Sequence, residues 1–294
     1  MSTGPQRMLL VDGMALLFRA FYATSYNGYI RRTRDGLSTN AVYGFLQYFF
    51  DAVRSFSPTH AACCWDMGSR TFRTEMYASY KANRPLPPPE LVPQFDLVRE
   101  VTAEMGIPNI GVPGYEADDC IGTLAYRFSR ESEVYILTGD HDLLQLVSDR
   151  IRVVILKKGK SNYAVYDPAL LMEEKGLMPH QIVDLKGFMG DPSDNYPGVK
   201  GIGEKIALKL LAEYGSVEGV LAHLNELPKG VRSKIEAGLD MLRLSRELAA
   251  IRLDAPVQCR LSDCRFELKV DPAIRKFEEL EFDGLIKLIR QHAG

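Results

Sequence analysis

The chain has 294 residues, of which 46% are hydrophobic and 25% are charged, and its formal net charge at pH 7 is -2. This is an ordinary soluble composition, and no apolar stretch approaches the roughly 20 residues that a membrane span requires. Residues 1–7 lack the apolar region of a signal peptide, so we expect a cytoplasmic protein. The five cysteines include no CxxC pair, which predicts buried reduced thiols rather than a disulfide framework or a zinc site.

Short apolar segments alternate with helical patterns along the first half of the chain. The spacing of apolar residues predicts helices at residues 14–22 and 40–56. Because strands that alternate with helices form parallel sheets, the pattern predicts an α/β fold with a parallel sheet flanked by helices. The predicted strands are residues 8–11, 61–65, 107–110, 134–137 and 152–156.

Carboxylates follow the ends of several predicted strands. Asp12, Asp66 and Asp140 come at or just past a strand end, and Glu116 follows the strand at residues 107–110. Ligands of such sheets bind beyond the carboxyl ends of the strands. We therefore expect these four side chains to converge.

The densest acidic group is Glu116, Asp118 and Asp119, with three carboxylates in four residues. Two carboxylates about 4 Å apart repel by roughly 4 kcal/mol at an effective dielectric near 20, so such a group needs cations to stay ionised. By itself, the group is explained equally well as an acidic helix N-terminus. The recurrence of carboxylates elsewhere in the chain favours a divalent-metal site.

Two further acidic pairs complete this pattern: Asp140 with Asp142, and Asp191 with Asp194. Removing the nine named carboxylates from the 38 acidic residues leaves 29 against 36 basic residues, or +7. The net charge of the whole chain therefore does not exclude a nucleic-acid partner.

Residues 68–93 form a long basic and aromatic insertion. A solvated surface loop would explain it, but an excursion of this length beside a metal site is more typical of a substrate-binding element. Interleaved cations and aromatic rings suit phosphate contacts and base stacking. The basic and aromatic residues of this insertion are Arg70, Phe72, Arg73, Tyr77, Tyr80, Lys81 and Arg84.

From residue 184 the pattern changes to short helices and tight glycine turns. Gly198 and Gly203 frame a G-x-x-x-x-G segment, but Glu204 follows it in place of Lys, so it is not an ATP-binding P-loop. It fits a helix-hairpin-helix, whose backbone N–H groups contact phosphate without reading a base. An amphipathic helix at residues 277–290 is expected to pack back on the sheet. We therefore divide the chain into residues 1–183, 184–258 and 259–294.

Together these motifs resemble the flap endonucleases and 5′-3′ exonucleases, a family that also forms the amino-terminal domain of bacterial type I DNA polymerases. The resemblance covers nearly the whole chain, and no polymerase sequence follows, so the chain resembles a stand-alone protein or an excised domain. It implies a PIN-like nuclease domain with a helical arch at about residues 68–93. The matching motifs are Asp12-Gly13, Trp65-Asp66, Phe72-Arg73, residues 80–84, 116–119, 138–145, 190–195 and 201–205.

The resemblance implies that the carboxylates hold two divalent ions. Oxygen ligands of this kind favour the hard cations Mg²⁺ and Mn²⁺. Two such ions can activate a water, neutralise charge on the phosphate and stabilise the leaving 3′ oxygen, which leaves 5′-phosphate products. By resemblance, Asp12, Asp66, Glu116 and Asp118 serve the first ion, Asp140, Asp142, Asp191 and Asp194 serve the second, and Asp119 lies near both.

The resemblance also implies contacts with DNA. A 5′ single strand would thread the arch, with Lys81 and Arg84 as catalytic contacts to the scissile phosphate. Phe18 would stack on a nucleotide near the cut, although core packing is an alternative, and Arg19 would contact a phosphate. The hairpin would grip duplex DNA and hold a K⁺ ion through its carbonyls. The other residues assigned to DNA binding are Arg70, Arg73, Tyr80, Lys200, Gly201, Gly203 and Lys205.

The expected function is a Mg²⁺-dependent, monomeric nuclease that degrades 5′ ends and removes 5′ flaps, acting on RNA primers and displaced DNA in replication and repair. A PIN-type single-strand ribonuclease is a second hypothesis, but that class lacks the arch and the hairpin. A third hypothesis is a branched-DNA binding protein that has lost its chemistry. Such a protein is expected to lack at least one of the carboxylates, and none is missing here.

Overall fold

A computed structural model describes residues 5–159 and 161–292 of the chain. Most of the polar N-terminal tail predicted at residues 1–7 lies outside these ranges, as do the last two residues of the predicted C-terminal segment. Within residues 5–159 and 161–292, the helices are too short or too polar to cross a lipid bilayer.

One mixed sheet organises the described part of the chain. Its strands are β1 (Arg7–Asp12), β2 (His60–Cys64), β3 (Asn109–Ile110), β4 (Glu133–Thr138), β5 (Ile151–Leu156) and β6 (Tyr163–Tyr166). They are ordered β3-β2-β1-β4-β5-β6, and β1 to β5 are parallel. Both faces of the sheet are covered, because Leu9 and Val11 pack into one apolar core while Met8 and Leu10 pack into another.

Helices form the outer layers and the second half of the chain. They are α1 (Gly13–Thr24), α2 (Asn40–Phe56), α3 (Phe72–Met76), α4 (Val92–Glu104), α5 (Ala117–Phe128), α6 (Pro168–Lys175), α7 (Gln181–Met189), α8 (Glu204–Tyr214), α9 (Val217–Ala222), α10 (Lys229–Ala237), α11 (Leu239–Ala249), α12 (Val270–Glu279) and α13 (Asp283–His292). Helices α1, α2, α4, α12 and α13 lie on one face of the sheet, and α5 lies on the other. The apolar core between α5 and the sheet is continuous with the core formed by α7 to α11.

Local sequence signals explain where these helices start and stop. Helix α6 is a clear case: Asp167 precedes it, and its carboxylate accepts a hydrogen bond from the Leu170 N–H at 2.8 Å. Pro168 occupies the first helical position, where its missing N–H has no consequence. Gly176 ends the helix in the left-handed conformation, with φ of 65°.

The structure differs from the sequence prediction at β6 and in the C-terminal segment, as well as at residues 68–93. Strand β6 was not predicted, and it runs antiparallel to β5 as an edge strand. The single helix expected at residues 277–290 is two helices, α12 and α13, because the chain turns at Glu281, whose φ is 57°. The turn lets Phe277 and Phe282 both enter the core under the sheet.

Residues 68–93 cross the carboxyl edge of the sheet. Before α4 begins at Val92, they contain one short helix, α3, then turns at residues 78–83, irregular chain at 84–88 and a further turn at 89–91, rather than a continuous helix. The turns bring this segment into contact with the loop after α7, where the Lys81 N–H donates to the Asp194 carbonyl at 2.9 Å.

The C-terminal helices contribute core residues, which generates a stability prediction. Phe277 and Phe282 are fully buried, with ring centroids 6.0 Å apart. Phe277→Ala should lower the free energy of unfolding by about 3–5 kcal/mol, because it removes buried surface and leaves a cavity. Urea denaturation measures the loss, and Glu278→Ala, an exposed change on the same helix, is the control. Equal stability of the two variants would show that α12 is not part of the core.

Candidate active site

The first acidic group is built at the ends of β1 and β4. The Asp12 carboxylate accepts hydrogen bonds from the Ala15 N–H at 3.0 Å and from the Thr138 hydroxyl at 2.7 Å. The first bond caps α1 and the second joins the two strand ends. Asp12 is thereby fixed at the carboxyl edge of the sheet, where only 3% of its surface is exposed.

Helix α5 brings its acidic N-terminus to the same edge. Glu116 is the residue before the helix, and the Asp66 carboxylate accepts the Ala117 N–H at 2.7 Å. Asp66, which follows β2, therefore lies beside Glu116. Asp118 is half-buried, and the charges of Asp12 and nearby acids act on it. The predicted convergence of these carboxylates is what the structure shows.

Burial and mutual repulsion disfavour the ionised forms of the carboxylates in this group. Burial raises the pKa of Asp12 to about 7, and the charges of Asp140 and Asp66 add to the shift. Burial also raises the pKa of Asp118 well above its usual value, and Asp12 and Asp140 contribute repulsion. Carboxylates whose pKa values are raised in this way are favoured to bind either protons or metal cations.

The second acidic group consists of Asp142, Asp191 and Asp194. One carboxylate oxygen from each lies within 4.8 Å of the others. Burial, and then the charge of Asp140, raise the pKa of Asp142 to about 6. Asp140 connects the two groups: its N–H donates at 2.9 Å to the Thr138 hydroxyl that bonds Asp12, and its carboxylate accepts the Asp142 N–H at 2.8 Å.

A glycine turn holds Asp191 and Asp194 in place. Gly190 and Gly198 have φ values of 72° and 62°, in the left-handed region. A Cβ atom on Gly198 would lie 2.2 Å from the Gly190 nitrogen, and one on Gly190 would lie 2.4 Å from the backbone of Pro197. Only glycine allows the two backbones to meet this closely, so the turn depends on both residues.

Cations from the 68–93 segment contact both acidic groups. The Lys81 ammonium lies 2.8 Å from Glu116 and 3.9 Å from Asp194, and the Arg84 guanidinium lies 2.5 Å from Asp194. Lys81 has a φ of 55°. Burial would lower the pKa of Lys81, but the attraction of Glu116 and Asp194 raises it, so the ammonium stays charged. The two residues predicted as catalytic therefore lie at the acidic groups.

Lys186 is a basic residue of this site that the sequence analysis missed. It contacts Asp142 at 2.7 Å and forms a close ion pair with Asp191. Burial would lower its pKa, but Asp142 and Asp191 raise it. The sequence did carry a signal for this role. Lys186 lies in the last turn of α7, a mostly apolar helix, and the loop that follows this helix carries two aspartates.

Asp119, predicted to bind metal, and Arg73, predicted to bind DNA, are paired with each other in the structure. Asp119 is fully buried, and both its oxygens form hydrogen bonds with the Arg73 guanidinium at 2.7 and 2.8 Å. The same oxygens also accept the N–H groups of Glu116 and Arg252. Arg73 is 2% exposed and donates further to the carbonyls of Leu248 and Ala250. Neither side chain has bonding capacity left for an ion or a phosphate.

Tyr80, which was assigned to DNA binding from the sequence, is buried in the structure. Its side chain is 4% exposed, and its ring lies against Tyr196 with centroids 6.3 Å apart. Its hydroxyl donates to Asp194 at 2.9 Å and lies 3.2 Å from Glu116. The Tyr80 hydroxyl therefore connects the two acidic groups through hydrogen bonds to one carboxylate of each.

Two clefts open beside α1. One, of about 470 Å³, is lined by Arg19, Asp140, Asp142, Lys186 and the loop that carries Asp191. The other, of about 610 Å³, is lined by Phe18, Asp66 and residues of the 68–93 segment. Phe18 is half-buried, packs against the apolar core of this face of the sheet and contacts Phe95 at the cleft wall.

The remaining predicted DNA contacts lie on the surface. The Arg70 side chain is 84% exposed and pairs with Glu75 at 3.1 Å. In the hairpin, Gly203 precedes α8. The Gly201 carbonyl accepts a hydrogen bond from Lys234 at 3.2 Å, so one carbonyl assigned to a K⁺ ion already has a cationic partner. The four hairpin residues that were assigned to DNA binding are all exposed: Lys200, Gly201, Gly203 and Lys205.

Comparison with known families covers most of the chain. The model of the 5′-3′ exonuclease N-terminal resolvase-like domain matches residues 7–176, and that of the 5′-3′ exonuclease C-terminal SAM fold matches residues 177–271. A 5′-3′ exonuclease of Bacillus subtilis (strain 168) is 50% identical over 97% of this chain and 96% of its own length. The DNA polymerase I of Bacillus caldotenax is 43% identical over 96% of this chain, which spans 32% of that polymerase.

Solved structures show the same fold. A bacteriophage T5 5′-exonuclease with bound divalent metal ions (zinc) has a TM-score of 0.68 and 23% identity, over 98% of this chain and all of that chain. A T5 flap endonuclease complex with DNA and metal ions has a TM-score of 0.67 and 22% identity, over 97% of this chain and 98% of that chain. The predicted fold class is confirmed, as a mixed α/β sheet domain followed by a helical domain.

The Arg73–Asp119 pair generates a prediction about stability. Arg73→Met should lower the free energy of unfolding by about 3–5 kcal/mol, because it leaves the Asp119 carboxylate buried without its cation. Arg73→Met combined with Asp119→Leu should recover part of that loss. Chemical denaturation in EDTA measures both, with Arg70→Met as the exposed control. A single variant as stable as the control would show that the pair has no structural role.

Proposed function

We propose that this chain, which belongs to the 5′-3′ exonuclease family, hydrolyses phosphodiester bonds at the 5′ ends and 5′ flaps of branched DNA and leaves 5′-phosphate products. The observation that carries the proposal is the convergence of two carboxylate groups with Lys81 and Arg84 at one edge of the sheet. The 50% identity with a 5′-3′ exonuclease over nearly the whole chain supports the same reaction. We extend the proposal to RNA-primed DNA, in primer removal and repair.

Divalent cations fit the donor set of this site. The donors are carboxylate oxygens, which suit Mg²⁺ or Mn²⁺, and their raised pKa values mark a site that favours added positive charge. When bound, such ions supply an activated water and neutralise phosphate charge. The residues that would hold them are Asp12, Asp66, Glu116, Asp118, Asp140, Asp142, Asp191 and Asp194.

The protein's own cations position the substrate. Lys81 and Arg84 are partly exposed and lie against carboxylates, so a phosphate can take the place of a carboxylate as their partner. Their charge then lies where negative charge develops on the phosphate during hydrolysis. Phe18, on the wall of the neighbouring cleft, offers a ring on which a base can stack. Arg19, next to it on α1, faces the other cleft as a phosphate contact.

The hairpin before α8 supplies the grip on duplex DNA in this proposal. Lys200 and Lys205 are exposed beside the N-terminus of α8, where backbone N–H groups favour a phosphate. A K⁺ ion at the hairpin carbonyls belongs to the same proposal, in competition with Lys234 at Gly201. We propose that the protein acts as a monomer in the cytoplasm.

A labelled flap duplex tests the reaction. The protein is incubated with substrates labelled at the 5′ or the 3′ end, with Mg²⁺ or EDTA, and the products are sized. Asp118→Asn should reduce cleavage by more than about 100-fold, because changes that merely misorient metal ligands already cost 10–100-fold. Binding measured in EDTA should change little, because phosphate contacts dominate it. Asp149→Asn, an exposed change before β5, is the matched control.

The outcomes distinguish the alternatives. Metal-dependent cutting near the flap junction by the wild-type protein supports the proposal. Tight junction binding without product would support a DNA-binding protein, and cutting of single-stranded RNA alone would support a PIN-type ribonuclease. Because Asp118→Asn removes one of several mutually repelling carboxylates, it should not lower the free energy of unfolding.

Salt dependence tests the hairpin. Log affinity for duplex DNA should fall steeply with log salt concentration, because bound phosphates release counterions. Lys200→Ala and Lys205→Ala should each lower the magnitude of the slope by about one, without a change in sequence preference. Lys287→Ala on α13, a change of the same type on the opposite side of the sheet from α8, should leave the slope unchanged. A flat salt response of the wild-type protein would contradict the assignment of the hairpin.

A further inference from the structure

Two cysteine side chains meet where the chain returns from the helical region to the sheet. The sulfurs of Cys259 and Cys264 are 3.3 Å apart. Cys259 is half-buried, whereas Cys264 is fully buried at the end of a short 3-10 helix, Leu261–Cys264. A disulfide needs a sulfur separation of about 2.05 Å, so the pair must close by only about 1.3 Å.

Each sulfur belongs to a segment that is anchored separately. Residues 251–259, here named the strap, lie along α5, and Arg127 donates to the carbonyls of Val257 and Cys259 at 3.2 and 3.1 Å. On the other side, Arg265 bridges to His60 of β2. The two sulfurs are therefore held at contact distance by the fold and do not depend on a mobile loop.

The neighbouring groups give Cys259 a different pKa shift from that of Cys63, Cys64 and Cys120. A hydrogen bond with Cys264 lowers the pKa of Cys259 against the opposing effects of burial and of the Asp263 charge, and Arg127 and Arg260 add to the lowering. Burial instead raises the pKa of Cys63 and Cys64, and it raises that of Cys120 to about 11. Because the thiolate is the reactive form, the half-buried Cys259 is the most accessible and the most reactive of the five thiols.

We propose that Cys259 and Cys264 form a redox-active dithiol that peroxides oxidise to an intramolecular disulfide. The Cys259 thiolate attacks one oxygen of hydrogen peroxide, the O–O bond breaks, and a sulfenic acid and hydroxide form. The hydroxide takes up the proton that Cys259 released on ionising and becomes the first water. The Cys264 sulfur then attacks the Cys259 sulfur, the S–O bond breaks, and hydroxide leaves as a second water with the Cys264 proton. The two thiols lose two electrons in total, and the peroxide is reduced to two waters.

The cross-link joins the strap to the 3-10 helix at the start of the C-terminal segment. The strap contacts α5 along its length, since Thr123 accepts the Ala255 N–H at 3.0 Å and donates to the Arg252 carbonyl. Oxidation therefore fixes the end of a segment that packs on the helix whose N-terminus carries Glu116. The modification is chemically independent of the proposed nuclease reaction.

Thiol counting and mass analysis of the full chain test this proposal. After treatment with hydrogen peroxide, two of the five thiols should no longer react with an alkylating agent in denaturant, and the intact mass should fall by two hydrogen atoms. Trypsin cuts after Arg260, so Cys259 and Cys264 fall on separate peptides that only a disulfide can join. Dithiothreitol should restore all five thiols.

Variants identify the partners. Cys259→Ser should abolish the linked peptide, and Cys120→Ala should leave it unchanged as the matched control. Cys264→Ala should leave a sulfenic acid on Cys259 that dimedone traps. If Cys264→Ala does not fold, the linked peptide of the wild-type protein and its loss in Cys259→Ser decide the question. Oxidation of Cys259 to a sulfinic acid without linkage, or a disulfide between two chains, would overturn the proposal.

Discussion

Mutual repulsion among carboxylates is the constraint on which the rest of this structure depends. The parallel strands and α5 bring two acidic groups to one edge of the sheet, and burial and repulsion raise the pKa values of Asp12, Asp118 and Asp142. Such an arrangement is stable only with positive charge nearby. The 68–93 segment supplies that charge through Lys81, and α7 supplies it through Lys186. The attraction of these two cations to the carboxylates offsets the repulsion among the carboxylates, and it also holds both elements at the edge of the sheet.

The cations at this edge fall into two physical classes. Arg73 is buried, and its guanidinium is fully engaged by Asp119 and backbone carbonyls, so its charge serves the fold. Lys81 and Arg84 are partly exposed, and each has a carboxylate partner that another anion can replace. The number of unused hydrogen-bond donors, rather than the residue type, therefore distinguishes Arg73 from Lys81 and Arg84, which we propose as phosphate contacts.

Much of the candidate site was predictable because it follows from the periodicity of the sheet. Carboxylates after apolar strands had to converge, and they do. The roles of individual neighbours were not predictable in the same way. Asp119 stands three residues after Glu116, and its carboxylate turns back to the Glu116 N–H in a capping box, a local signal that was present in the sequence. Its partner Arg73 lies 46 residues away, and no local pattern specifies such a contact.

The Arg73 guanidinium also sets the distance between the two functional regions of the proposed nuclease. It holds α5 through Asp119, and it holds the end of α11 through the carbonyls of Leu248 and Ala250. Helix α11 packs against α7, whose C-terminal turn carries Asp191 and leads into the hairpin before α8. These contacts connect the hairpin to the acidic groups through packed elements, and close-packed interiors deform little. If the hairpin binds duplex DNA as we propose, this packing holds the duplex at a set distance from the carboxylates, which is a physical basis for cutting at a defined position relative to a junction.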